Sequence, residues 1–202
     1  MEITENQALI IFAKNLEKGK VKKRLAKDLG NQKALELYQE FCVHTMTNTF
    51  DIPGRRMLFY SEFIQNGDIW GSDDYMKFVQ NGENLGQRMA EAFKLAFDKS
   101  EKVVIIGTDC MELTRNIIME AFDRLEQDDI VLGPANDGGY YLLGMNSFHP
   151  ELFENIDWST EKVLEQTKAR IEPLNLSVFE LPELIDIDTV EDLENSLAYG
   201  NI

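Results

Sequence analysis

Short, strongly apolar segments alternate with segments of helical periodicity along the whole chain. The apolar segments are five to seven residues long, and several are apolar without interruption, as in "VVIIG". Strands of this kind, separated by helices, are typical of a largely parallel sheet that is covered on both faces. The predicted strands are 8–13, 57–61, 103–107, 129–135, 139–145 and 176–181. The predicted helices are 31–47, 84–98, 115–127, 160–170 and 190–199. The pattern therefore predicts an α/β fold.

The segment "NDGG" at 136–139 lies between two predicted strands and predicts a tight turn. A hairpin there would make the sheet mixed. Asp137 has two interpretations. It serves the turn alone, or it binds the hydroxyl groups of a ligand while Gly138 and Gly139 allow the backbone to approach that ligand closely.

The composition is that of a globular protein, with 44% hydrophobic and 28% charged residues among 202. We find no internal repeat or linker, and we expect residues 1–202 to form a single domain. The longest apolar stretches are too short to span a bilayer, and no segment resembles a secretory leader. We therefore expect a cytoplasmic protein.

The formal charge of −16 argues against binding to nucleic acid or to an anionic membrane. Between positions 14 and 28, however, seven lysines and arginines accompany only two acidic residues. This segment follows the first predicted strand and contains Gly19, so it suits a small polyanion such as a nucleotide. A solvated helix face is the alternative. The spacing of neither a Walker A loop nor a GxGxxG loop is present.

Asp109 lies two residues after the predicted strand 103–107, behind Thr108. A carboxylate at the end of a buried strand requires compensation. A helix cap, a basic side chain or a metal ion can each supply it. Ligands of open α/β sheets bind beyond the carboxyl ends of the strands, and both Asp109 and Lys14 are predicted to lie at such ends. Mg²⁺ and Mn²⁺ prefer carboxylate oxygens together with substrate phosphates.

Asp186 and Asp188 alternate with Ile187 in an extended segment, "ELIDIDTVEDL", near the end of the chain. A period of two places both carboxylates on one face. A shared cation would relieve their mutual repulsion. The alternative is a solvated edge followed by a capped helix, for which Thr189 is the predicted N-cap.

Taken in order, six motifs resemble the bacterial DUF2064 family. They are "FAK…GKVKKRL", "NGENLGQRM", "GTDC.ELT", "LGPANDGGYYLLG", "WST…VL..T" and "IDIDTVEDL". These proteins are glycosyltransferase-A-like members of the nucleotide-diphospho-sugar transferase superfamily, and some of them resemble glycosyltransferases of the arsenosugar-biosynthesis type. The resemblance extends over residues 8 to 195. The chain departs from the family pattern at Met111, where a proline usually follows "GTDC", and in the first loop, which lacks the usual prolines and threonine.

The resemblance implies a three-layer α/β/α sandwich with a mixed, mainly parallel sheet. It implies that Lys14, Lys20 and Arg24 hold phosphates, with Gly19 in the same loop, and that Asp109 binds Mg²⁺ or Mn²⁺. It further implies that Asp137 serves the sugar or acceptor side and that Asp186 or Asp188 is a second metal ligand. Arg88 either reaches the same cleft or lies exposed on its helix.

Three functional hypotheses follow. The first is glycosyl transfer from a nucleotide diphosphate sugar to a small acceptor, with catalysis by Asp109 and Asp137. The second is a nucleotidyltransferase that joins an NTP to a phosphorylated small molecule and releases pyrophosphate. The third is a non-catalytic nucleotide-binding protein with the same fold.

Overall fold

The computed structural model describes residues 6–196 and contains a seven-stranded sheet. The strands are β1 (Gln7–Ala13), β2 (Arg55–Tyr60), β3 (Met76–Val79), β4 (Lys102–Ile106), β5 (Ile130–Pro134), β6 (Tyr140–Met145) and β7 (Val178–Glu180). Their order across the sheet is β3-β2-β1-β4-β6-β5-β7. All neighbouring pairs are parallel except β4–β6 and β5–β6, which are antiparallel. The predicted mixed, mainly parallel sheet is confirmed.

Helices cover both faces of this sheet because its strands are apolar on both sides. The helices are α1 (Lys23–Thr49), α2 (Leu85–Phe97), α3 (Arg115–Arg124), α4 (Val163–Ile171) and α5 (Val190–Asn195). Buried side chains of α1, α3 and α5 join one core cluster together with Leu9 and Ile11 of β1. Those of α2 and α4 join a second cluster with Ala8 and Ile10. The predicted three-layer α/β/α architecture is therefore confirmed.

The "NDGG" segment forms the predicted tight turn between β5 and β6. The amide of Gly138 donates to the carbonyl of Ala135 at 3.1 Å, and the amide of Ala135 donates to the carbonyl of Gly139 at 3.1 Å. Because β6 runs antiparallel to β4, the start of β6 lies at the same edge of the sheet as the end of β4. This edge therefore brings the turn close to the residues that follow β4.

Three elements differ clearly from the predictions. Helix α1 begins at Lys23 rather than at 31, because its first turns continue through a kink at Gly30, which has a φ of 82°. Strand β3 was not predicted, since it has four residues and only partly buried or exposed side chains. Helix α5 begins after Thr189, which forms the predicted N-cap in a capping box with Asp192, and it ends at Asn195, before the extended Ser196. Positions 197–199 of that predicted helix lie outside the described residues. None of the helices in residues 6–196 has the length and apolarity needed to cross a bilayer.

Candidate active site at the carboxyl edge of the sheet

A cleft of about 930 Å³ opens at the edge where β1 and β4 end and β6 begins. We call its two sides the first wall and the second wall. The first wall comes from the layer of α1 and α5 and contains Lys14, Arg24, Asp109, Asp186 and Asp188. The second wall comes from the layer of α2 and α4 and contains Leu85, Tyr140 and residues 157–163. Asp137 and Gly139 of the β5–β6 turn also line the cleft.

The compensating charge for Asp109 is a buried lysine. The ammonium nitrogen of Lys22 lies 2.7 Å from Oδ2 of Asp109 and 3.1 Å from Oδ1 of Asp188, and its side chain is 0% exposed. It also donates to the carbonyl of Ile187 at 2.6 Å. Burial by itself would lower the pKa of Lys22, but the attraction of Asp109, Asp186 and Asp188 outweighs it and raises the pKa. Lys22 therefore carries its charge behind the first wall.

The local backbone explains how Lys22 reaches this position. Lys22 lies immediately before α1 and adopts a left-handed conformation, with φ 43° and ψ 54°. Its neighbour Lys23 is exposed to solvent, so the change of direction at Lys22 separates two adjacent lysines. Asp109 itself does not cap a helix, because α3 begins six residues later and the amide of Arg115 is bound by Oδ1 of Asn48.

The C-terminal acidic segment lies directly beside Asp109. The amide of Ile187 donates to the carbonyl of Asp109 at 3.0 Å. Ile187 is 0% exposed in the core, whereas Asp186 and Asp188 both line the cleft, as the period of two predicts. Burial, and then the nearby charge of Asp109, raise the pKa of Asp186 to about 7. The carboxylates here are thus crowded, and Lys22 relieves the crowding only in part.

A buried hydrogen-bond chain links the ends of β1 and β4. The hydroxyl of Tyr38 accepts from the amide of Lys14 at 2.7 Å and lies 3.0 Å from Oγ1 of Thr108. Oγ1 of Thr108 in turn lies 3.4 Å from Oδ1 of Asp109. Tyr38 is 1% exposed. Its hydroxyl therefore holds Lys14 and Asp109 at the same edge of the sheet.

Of the residues predicted to hold phosphates, the cleft contains Lys14 and Arg24 but not Gly19, Lys20 or Arg88. Arg24 contacts Oδ2 of Asp188 through Nη1 at 3.3 Å. Gly19 forms a turn with a φ of 81°. Lys20 pairs with Glu17 and Glu62, at 2.9 and 3.2 Å. Arg88 donates from Nε to the carbonyl of Gly82. The structure therefore does not bring these three residues to the cleft.

The β5–β6 turn holds Asp137 at the cleft. The amide of Gly139 donates to Oδ1 of Asp137 at 2.9 Å, which fixes the orientation of the carboxylate. Gly138, with a φ of 84°, packs so closely that a Cβ atom would lie 2.1 Å from the carbonyl oxygen of Glu161. The turn interpretation of Asp137 is thus satisfied, and the carboxylate also faces the cleft.

The sequence indicated neither Lys22 nor Trp158 as a member of the site. Lys22 belongs to a run of basic residues in which periodicity does not separate buried from exposed positions. Trp158, the first residue of the motif "WST", is only partly buried and lines the cleft. By contrast, no residue of the segment 66–79 lines this cleft.

The donor chemistry of the first wall suits a divalent cation. Asp109 and Asp188 each direct one carboxylate oxygen to the ammonium nitrogen of Lys22, and the carboxyl group of Asp186 lies close to them. Within residues 6–196, however, no three carboxylate, imidazole or thiol groups are arranged as a ready-made metal site. The predicted set of Asp109, Asp186 and Asp188 therefore converges without forming a closed site. One or two carboxylates suffice for Mg²⁺ when substrate phosphates complete its coordination.

Solved structures share this fold over nearly their whole length. A protein from Desulfovibrio desulfuricans G20 that is presumed to be a nucleotide-diphospho-sugar transferase is 30% identical, with a TM-score of 0.85 and coverage of 96% of this chain and 92% of that one. The inositol-1-phosphate CTP transferase of T. maritima is 16% identical, with a TM-score of 0.60 and coverage of 97% and 94%. Rv0371c of Mycobacterium tuberculosis H37Rv, in complex with manganese, is 12% identical, with a TM-score of 0.54 and coverage of 94% and 96%.

In sequence, no curated protein matches this chain. Residues 50–160 match the family described as "uncharacterized protein conserved in bacteria (DUF2064)". That segment covers more than half of the chain and contains Asp109, Asp137 and Trp158. The chain belongs to the DUF2064 family.

Proposed function

We propose that this protein is a metal-dependent transferase that uses a nucleotide-linked donor, and that it transfers a glycosyl group from a nucleotide diphosphate sugar to a small acceptor. The convergence of Asp109 and Asp188 in a cleft that also contains Lys14 and Arg24 is the observation that carries the proposal. Cations and paired carboxylates together suit a diphosphate with its metal ion. The relative from Desulfovibrio desulfuricans G20 supports the choice of donor.

The donor diphosphate would lie against the first wall. Lys14 and Arg24 are exposed there and would donate hydrogen bonds to its phosphate oxygens. Asp109 and Asp188 would hold Mg²⁺ or Mn²⁺, which neutralises the charge that develops on the departing diphosphate. The manganese complex of Rv0371c is consistent with a divalent ion on this fold.

Lys22 acts as an internal counter-ion in this proposal. Its ammonium group contacts the same two carboxylates that would hold the metal. Carboxylates held close together without a cation repel each other, and Lys22 supplies that cation while the site is free of metal. The lysine thus keeps the carboxylates ordered before a donor arrives.

Asp137 would orient or deprotonate the acceptor hydroxyl. It lies on the turn between the two walls, and the amide of Gly139 fixes one of its carboxylate oxygens. A carboxylate in this position can accept a proton from a hydroxyl within hydrogen-bond distance.

Nucleotidyl transfer is the second candidate, because several fold neighbours are cytidylyltransferases, including the enzyme of T. maritima. In that reaction the same wall would bind a triphosphate. The products separate the two reactions, since glycosyl transfer releases a nucleoside diphosphate and nucleotidyl transfer releases pyrophosphate.

The experiment is an incubation with Mn²⁺ of nucleotide sugars or nucleoside triphosphates, each with a mixture of free and phosphorylated sugars and polyols. We expect release of nucleoside diphosphate from a nucleotide sugar, and loss of that release with EDTA or with Asp137→Asn. Release of pyrophosphate instead would assign nucleotidyl transfer. Absence of both products with every donor would contradict a catalytic role.

A further inference from the structure

The second wall of the cleft differs in chemistry from the first and is not used by the proposed donor contacts. It presents Leu85 and Trp158 together with Ser159 and Thr160. We infer that this wall is the acceptor subsite and that it takes a neutral, polyhydroxylated molecule, a sugar or polyol, in preference to a phosphorylated one. The inference rests on the proposed function, because it names the acceptor class of the same cleft.

An apolar surface of fixed geometry forms the base of this subsite. Leu85, the first residue of α2, is 40% exposed although it is aliphatic. Trp158 is partly exposed and packs on the backbone of α2, where a Cβ atom on Gly86 would lie 2.3 Å from the indole nitrogen. The glycine therefore makes room for the ring and restricts its movement. Aromatic rings of this kind combine a large apolar contact area with low conformational entropy, as small-molecule sites require.

The charges on this wall disfavour a phosphate group. Asp157 and Glu161 are acidic, and Lys162 is the one cation among the second-wall residues that the structure describes. Asp137 adds a further carboxylate at the neighbouring turn. Lys14 and Arg24 lie on the first wall instead. A phosphorylated acceptor on the second wall would thus meet net negative charge, whereas hydroxyl groups can donate to these carboxylates.

The loop that carries these groups is attached firmly to the turn that carries Asp137. The amide of Leu164 donates to the carbonyl of Gly138 at 2.9 Å, and Gly138 packs against the backbone of Glu161. Within the loop, the hydroxyl of Thr160 donates to the carbonyl of Asp157 at 2.7 Å. A ligand held on the second wall therefore lies next to Asp137, where its hydroxyl is in place to receive the glycosyl group.

Saturation-transfer NMR tests the subsite directly. The probes are a mixture of methyl glucoside, methyl galactoside, methyl mannoside, glycerol and inositol, and a second mixture of the corresponding sugar phosphates and glycerol phosphate. Each mixture is added to protein that is saturated with a nucleoside diphosphate and Mg²⁺, which is used here in place of Mn²⁺. We expect at least one neutral probe to bind at least tenfold more tightly than its phosphorylated counterpart.

Two variants assign the binding to the second wall. Trp158→Ala is expected to weaken the binding of the neutral probe at least fivefold without changing the affinity for the nucleotide. Trp70→Phe, at the other tryptophan, is the control. Glu161→Lys changes an exposed side chain and avoids a folding defect. It is expected to strengthen the binding of the phosphorylated probes at least threefold.

The outcomes separate this inference from the proposed function. If the wild-type protein binds no nucleoside diphosphate, the proposed function fails first. If it binds nucleotide, then tighter binding of the phosphorylated probes, or no binding of any neutral probe, overturns the acceptor assignment alone. Unchanged binding in both Trp158→Ala and Glu161→Lys would likewise overturn it.

Discussion

The ammonium nitrogen of Lys22 lies 2.7 Å from Oδ2 of Asp109 and is enclosed completely by protein. The pair joins the loop after β1 to the end of β4, and Asp188 of the C-terminal segment completes it at 3.1 Å. Three segments that are distant in the sequence therefore depend on one buried cation. This relationship makes Lys22 both a structural residue and a competitor of any metal ion for Asp109.

Replacement of Lys22 by methionine is the first test of that relationship. Loss of one partner of a fully buried ion pair costs about 3–5 kcal/mol. Because Asp109 and Asp188 are 22% and 39% exposed and stay partly solvated, we expect Lys22→Met to lower the free energy of unfolding in EDTA by less than that amount. We also expect its Mn²⁺ affinity, measured by titration calorimetry, to rise, because the carboxylates no longer have an internal cation. Lys23→Met, at the exposed neighbour, should change neither quantity. Equal Mn²⁺ affinity in the wild type and Lys22→Met would refute the competition.

Lys14 and Arg24, which line the cleft, are expected to contribute more to the binding of a nucleoside diphosphate than Lys20, which lies outside it. Hydrogen bonds to charged groups contribute about 1.5–3 kcal/mol. Lys14→Ala and Arg24→Ala should therefore weaken nucleoside diphosphate binding at least tenfold, with less dependence on salt. Lys20→Ala is the matched control, because Lys20 pairs with Glu17 and Glu62 outside the cleft. A larger effect at Lys20 than at Lys14 and Arg24 would contradict this placement of the phosphates.

Gly138 is expected to tolerate no side chain. Gly138→Ala combines a φ of 84° with a Cβ atom 2.1 Å from the carbonyl oxygen of Glu161. The backbone strain alone costs about 1–2 kcal/mol, and the collision adds to it. Gly67→Ala is the control, since its φ is 70° but nothing lies within 4 Å of the added atom. Denaturant unfolding should show a clearly larger loss for Gly138→Ala; equal losses would mean that the loop 157–163 is not packed on the turn.

The stability of the β5–β7 pairing is expected to depend on pH through Asp129. The amide of Ser177, and then its hydroxyl, donate to this carboxylate and lower its pKa. A lowered pKa in the folded state contributes stability above the pKa of the unfolded chain, about 3.9. That contribution is lost as the pH falls through the folded pKa.

Unfolding measured between pH 3 and pH 6 tests this expectation. Asp129→Asn should reduce the loss of stability on acidification, whereas Asp128→Asn, at the neighbouring position, should leave it unchanged. An identical pH dependence in the wild type and Asp129→Asn would contradict the role of Asp129.

The sheet and its edge could be predicted because burial leaves a local signal. Continuous apolar strands indicated six of the seven described strands, and the positions after them placed Lys14 and Asp109 at one edge. Strand β3 could not be predicted, since its short sequence has no buried face. The alternation of Asp186, Ile187 and Asp188 likewise predicted which side chain is buried.

The partners of these residues could not be predicted, because they depend on tertiary packing. Lys20 and Lys22 look alike in the sequence, yet one pairs with surface glutamates and the other is buried against Asp109. The left-handed backbone at Lys22 is what separates them. Trp158 lines the cleft only because Gly86, on another element, makes room for its ring.

The most direct test of the account is calorimetric titration of a nucleoside diphosphate into the wild type and Asp109→Asn, each with Mn²⁺ or with EDTA. The account predicts binding to the wild type that weakens at least tenfold in EDTA, and weak binding to Asp109→Asn whether or not metal is present. Wild-type affinity that is the same with Mn²⁺ and with EDTA, or that persists unchanged in Asp109→Asn, would contradict a metal-dependent nucleotide site at the end of β4.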